Sequence, residues 1–182
     1  MKKIFLVVAL IGISSVAYSQ AKVEIGLKGG VNMASLNGDN LNSNNVTAFH
    51  GGAYGLIKIT KIGIQPEVLF SKRGDDQFDL AYMDVPVMLK FYLAAGLNVQ
   101  AGPQFGVLLN AENANGDDIK DTLKNSDLSA AMGIGWDLPF GLNVTGRYVL
   151  GLKDVNDLPN TPSVKGNTFQ LSVGYKLFKI GN

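Results

Sequence analysis

Few residues in this chain have side chains suited to catalysis, and their spacing speaks mainly against it. His50 is the only histidine and cysteine is absent. No serine occupies the Gly-x-Ser-x-Gly elbow of a hydrolase. Nucleophilic catalysis needs a base within hydrogen-bond reach of the nucleophile. Ser35 and Ser71 are the hydroxyls that the pattern brings toward His50, and nothing else completes a triad. Asp75-Asp76 and Asp117-Asp118 lack the ligand spacing of a calcium loop and read as solvated loop charges. The glycine-rich pieces GLKGGVN and GIGWDLPFG lack the strand-to-helix context of a phosphate cradle. Arg73-Gly74-Asp75 is a three-residue match of little weight. The sequence therefore predicts no catalytic residue, no cofactor, no metal site and no enzymatic activity.

What remains is a set of charges embedded in apolar sequence. In Tyr82–Tyr92, YMDVPVMLKFY, parity places Met83, Val85, Val87, Leu89 and Phe91 on one face. Tyr82, Asp84, Pro86, Met88, Lys90 and Tyr92 lie on the other. Period-two alternation is the signature of a strand, and it recurs along the chain in roughly eight segments of about ten residues, the length of a tilted strand crossing a bilayer. Val23, Ile25, Leu27, Val31 and Met33 oppose Glu24, Gly26, Lys28, Gly30 and Asn32. Leu97, Val99, Ala101, Pro103 and Phe105 oppose Asn98, Gln100, Gly102 and Gln104. Leu128, Ala130, Met132, Ile134 and Trp136 oppose Asp127, Ser129, Ala131, Gly133, Gly135 and Asp137. Leu142, Val144 and Tyr148 oppose Asn143, Thr145 and Arg147, and Phe169, Leu171, Val173, Tyr175 and Leu177 oppose Gln170, Ser172, Gly174 and Lys176.

Short links near Thr60–Ile62, Leu93–Gly96 and Pro139–Gly141 alternate with longer polar stretches at Ala34–Thr47, Lys72–Gln77, Asn110–Ser126 and Lys153–Asn167. Brief turns at one end and long loops at the other is the plan of an outer-membrane barrel, with the turns in the periplasm and the loops outside. Volume decides which face is outward. An eight-stranded barrel has an interior just wide enough to be filled by side chains, too narrow for some forty branched and aromatic residues, about five per strand on such a barrel. The apolar set must face out, and lipid is what makes so large an apolar surface stable. Outward Phe49, Phe70 and Phe169 fall toward the long-loop end, and Phe91, Trp136 and Tyr175 toward the short-turn end, as two interfacial girdles. Pro66, Pro86 and Pro103 each remove a ladder donor, so a bulge is expected near at least one of them.

On this reading Lys28, Glu67, Asp84, Lys90 and Arg147 point into the lumen. Buried charges persist when paired and hydrogen-bonded, so a cross-lumen network is expected in which Arg147 and Lys28 face Glu67 and Asp84.

The chain opens MKKIFLVVALIGISSVAYSQ. Lys2 and Lys3 form a basic region, Ile4–Ile13 an apolar core, and Ala17-Tyr18-Ser19 a small-x-small cleavage site. Residues 1–19 are expected to be a cleaved signal peptide and 20–182 the barrel domain. Removing the two lysines lowers the basic count from 16 to 14 against 15 acidic residues. A balance near −1 carries no basic footprint for nucleic acid.

The strings AYMDVPVMLKFYL, GLKGGVNMASL, GIQPEVLFSKRG, LNVQAGPQFGVLL and RYVLGLKDV together resemble the PorT-type outer-membrane β-barrel proteins of the Bacteroidetes. That resemblance implies an eight-stranded barrel, a home in the outer membrane, assembly there by the barrel assembly machinery, and no assigned biochemical activity. The chain departs from many outer-membrane barrels in running past Phe178 through Lys179-Ile180-Gly181-Asn182. The sequence reading as a whole is an all-β, eight-stranded, antiparallel up-and-down transmembrane barrel. Its expected role is structural or surface-interacting, with a charge-plugged lumen, outer-membrane lipid around it, and an extracellular ligand or surface partner reached through the loops. A narrow porin-like channel and a soluble lipocalin-like binding barrel are the alternatives.

Overall fold

The computed structural model describes residues 21–37, 46–75, 78–113, 126–152 and 165–181. The expected signal peptide and cleavage site lie outside them. The strands are β1 (Ala21–Asn37), β2 (Val46–Ile59), β3 (Ile62–Asp75), β4 (Phe78–Tyr92), β5 (Leu97–Asn113), β6 (Ser126–Asp137), β7 (Leu142–Gly151) and β8 (Lys165–Ile180). Each pairs antiparallel with its sequence neighbours, and β1 pairs with β8 to close an eight-stranded barrel. Closure leaves no sheet edge, so the ladders can satisfy the backbone without water.

Alternation along the strands gives the wall two chemistries. Leu27, Leu89, Val99, Ile134 and Val173 are exposed on the outside, Ile134 at 64%. Lys28, Glu67, Asp84, Lys90, Gln104, Arg147 and Gln170 are buried within. This orientation excludes the lipocalin arrangement, in which the apolar set would line the interior. The lumen also holds apolar groups that its charges do not announce. Tyr54, Leu56 and Tyr92 cluster toward the short-turn end, Met88, Ala131 and Val149 form a second group, and Leu69 and Leu108 are fully buried.

Three of the connections are tight. Ile59 opposes Ile62 across a two-residue turn in which Thr60 adopts φ 54°. Between β4 and β5, Gly96 takes φ 83°, a conformation that glycine reaches without steric cost. The Trp136 indole donates to the Ala95 carbonyl of that turn at 3.0 Å. A 3-10 turn at Pro139–Gly141 joins β6 to β7 and leaves Phe140 at the surface.

Two expectations need correction. Lys72–Gln77 was expected as a long connection, but β3 continues to Asp75, opposite Phe78 of β4, so only residues 76–77 lie between them. A polar run does not by itself end a ladder, since water tolerates polar residues on paired strands. Nor do the prolines coincide with bulges. The register shifts fall at Ile25/Gly26 against β8 and at Ala81/Tyr82 against β5. The prolines instead sit beside interruptions that keep register. The β3–β4 pairing passes from Pro66–Val87 directly to Leu69–Asp84, and β4–β5 from Pro86–Gln104 to Leu89–Ala101. Ladder pairs on both sides hold the frame, so a missing donor opens a gap without inserting a residue.

Candidate functional site

At the centre of the lumen, Glu67 of β3 is the hub. The Lys28 ammonium from β1 donates to Glu67 Oε1 at 2.8 Å. Arg147 from β7 reaches across the barrel with Nη1 at 2.8 Å from Oε2 and Nη2 at 2.5 Å from Oε1. Its fork also meets Gln100 Oε1 of β5 through Nε at 3.2 Å and Nη2 at 2.9 Å. Gln65, two residues from Glu67 and therefore on the same face, adds a donor at 2.6 Å. The planar guanidinium suits this role because it offers paired donors in the geometry of a carboxylate. Arg147 and Glu67 are each 1% exposed and Lys28 3%, so these charges are held by one another and not by bulk water.

Small residues make the network possible. Gly135 lies where a Cβ would come within 2.7 Å of Asn98 and 2.9 Å of Gln100, and a Cβ on Gly26 would meet the Tyr54 ring at 2.5 Å. Inward glycines thus free the space that long polar side chains from other strands occupy.

The five charges expected in one network meet different partners. Lys28, Glu67 and Arg147 converge. Asp84 instead accepts from the Ser71 hydroxyl at 3.2 Å on the neighbouring strand. Lys90 donates to Gln65 Oε1 at 3.1 Å and to Asp137 Oδ1 at 3.2 Å, joining the hub to the short-turn end. There Tyr92 donates to Asp137 Oδ2 at 2.7 Å, Asn143 donates to the Tyr54 hydroxyl at 3.0 Å, and Lys176 pairs with Glu24 at 3.3 Å. Gln65 and Gln100 are participants that an inspection of charges alone passes over, and Asp137 is a charge that parity had placed inward without its being counted in the network. Parity had also placed Gln100 inward, and a search for inward amides beside the charges would have found both glutamines.

His50 is buried, and its Nε2 lies 2.9 Å from Ser172 Oγ of β8. Ser71 stands opposite His50 in the β2–β3 ladder, while nothing is described of the Ser35 side chain. Ser172 is thus a hydroxyl partner that the sequence reading did not name, because the closed barrel brings β8 to β2's side of the lumen across β1. Ser172 itself is 2% exposed, which leaves no access for an attacked substrate.

On the outer wall Phe49, Phe70 and Phe169 are exposed toward the ends of β2, β3 and β8 that lie away from the three tight turns, and Phe91, Trp136 and Tyr175 toward the opposite end. Among the described residues no cluster of histidine, cysteine or carboxylate groups has the arrangement of a metal site. No described helix is long and apolar enough to cross a membrane, which says nothing of strands.

A family profile described as outer membrane protein beta-barrel domain matches residues 18–157. Among curated proteins no sequence matches. The fold is similar to that of Neisserial surface protein A, at TM-score 0.57 and 13% identity over 87% of this chain and 98% of that one. It is also similar to Ail, the attachment invasion locus protein of Yersinia pestis, at TM-score 0.53 and 13% identity over 85% of this chain and 98% of that one. At such identity the likeness is one of fold.

Proposed function

Since the chain belongs to the outer membrane protein beta-barrel domain family, we propose that it is a non-enzymatic barrel with a structural or surface-interaction role and a lumen closed to solutes. The observation that carries this reading is the Lys28–Glu67–Arg147–Gln100 constellation, which links β1, β3, β5 and β7 across the axis. A barrel of this strand number has little interior to spare, and side chains that bind one another so closely support a lumen without a continuous water path. A surface role agrees with Ail, whose name records attachment and invasion. The ends of the strands away from the tight turns, with the segments joining them, are where an extracellular partner would touch the protein. Export through residues 1–19, assembly by the barrel machinery, and a place among the PorT-type proteins complete the proposal.

Reconstitution of the purified chain in planar bilayers tests it. The expected record is flat for the native protein, with stepwise conductance in Arg147→Ala, which removes the longest cross-lumen side chain. Discrete conductance steps from the native chain would instead establish the narrow-channel reading.

A further inference from the structure

At the short-turn end the lumen widens into a cavity of about 170 Å³. Its inner limit is formed by Tyr54, held by Asn143, and by Gln65, tied to the central Glu67. Its walls combine Lys22, Lys58 and Lys176 with Glu24 and Asp137, and with the apolar surfaces of Leu56, Tyr92 and Leu138.

The charges here do not cancel. Among the described luminal residues four cations, Lys28, Lys90, Arg147 and Lys176, accompany four carboxylates, Glu24, Glu67, Asp84 and Asp137. Lys22 and Lys58 stand outside that balance. Among the described residues neither forms an ion pair. They are also direct partners in the β1–β2 ladder, and like charges directly opposite one another destabilise a sheet. Lys58 is held by an aromatic face and not by a carboxylate: its ammonium lies 3.4 Å from the centroid of the Tyr92 ring, while the Tyr92 hydroxyl is turned away to Asp137. A cation over an aromatic ring is well placed yet keeps donors for another partner.

We propose that this vestibule, which opens to the periplasm, is a binding site for a small organic acid. The ligand's carboxylate would bridge Lys22 and Lys58, relieving their repulsion, and its apolar body would lie against Leu56, Tyr92 and Leu138. The volume sets the size, since a cavity of about 150 Å³ accommodates benzene. The occupant is therefore an acid of roughly benzoate dimensions and not a peptide or lipid. This site does not depend on whether the central network blocks conduction.

Equilibrium dialysis of labelled benzoate against the full chain folded in lipid nanodiscs tests the proposal, with inorganic phosphate as the anion that lacks an apolar body. The expected result is saturable benzoate binding, weaker phosphate binding, and about a tenfold loss of benzoate affinity in Lys58→Gln, the scale of one charge-assisted hydrogen bond. Lys22→Gln should lose affinity in the same sense, and serves if Lys58→Gln does not fold. Lys61→Gln, on the exposed turn, should bind as the native chain does. Non-saturable uptake, phosphate binding as tight as benzoate, or equal losses in Lys61→Gln and Lys58→Gln would each overturn the assignment.

Discussion

At the scale of single residues, Glu67 is the position on which the interior turns. It compensates both Lys28 and Arg147, so Glu67→Gln leaves two buried cations facing a neutral amide. Removing one partner of a buried ion pair costs about 3–5 kcal/mol, because the remaining charge is uncompensated. Urea unfolding of the chain in lipid vesicles should show a midpoint lowered accordingly. The triple replacement Lys28→Met, Glu67→Leu, Arg147→Met should recover much of that loss, since it removes the desolvated charges together. A different residue-scale test concerns Trp136, whose indole binds the Ala95 carbonyl. Trp136→Phe keeps an aromatic ring at the position and removes the donor, so stability should fall by about 0.5–1.5 kcal/mol from the lost hydrogen bond, read as a shift of the urea midpoint at unchanged slope.

At the scale of the element, each strand is a ladder with a wet face, a greasy face and a depth. In β8 the outward residues run from Phe169 near one end through Val173 to Phe178 near the other. Arginine on the lipid face costs about 2–4 kcal/mol at the midplane and about 0–1 near the interfaces. Val173→Arg should therefore destabilise the folded barrel by the larger amount and Phe178→Arg by the smaller, measured by urea titration in the same lipid. Equal costs would mean that β8 does not cross a hydrocarbon layer. The prolines teach a related lesson about ladders. Pro66, Pro86 and Pro103 fall on three adjacent strands at interruptions flanked by intact pairs, so the sheet absorbs lost donors by skipping bonds. The two bulges, at Leu177 and Leu109, arise elsewhere.

At the scale of the molecule, closure is the decisive event. The β1–β8 pairing covers fifteen register positions from Val23–Ile180 to Asn37–Lys165, and without it two edges would lie unpaired in hydrocarbon, where each unsatisfied group costs several kcal/mol. Truncation before Lys165 should abolish stable insertion altogether. Protease protection of the vesicle-reconstituted protein measures this: the native strands stay protected, and the truncated chain is digested.

The alternation of side chains settled most of the architecture at the level of sequence. It placed Leu89, Val99 and Ile134 on the lipid face and Lys28, Glu67 and Arg147 inside, because a strand's two-residue period needs only local information. The same parity carried Leu69 inward beside Glu67, although its apolar character gave no reason to look for it there. Which luminal groups meet was not legible. Asp84 and Glu67 are both inward carboxylates, yet one bonds Ser71 and the other gathers Lys28, Arg147 and Gln65. His50 meets Ser172 of β8 although Ser71 stands opposite it in the β2–β3 ladder, and Lys22 faces Lys58 only because of where the β1–β2 register falls. These pairings join residues far apart in the chain, and they depend on register, shear and closure, which no local pattern encodes. Sequence chose the face of each side chain, and the closed barrel chose its neighbours.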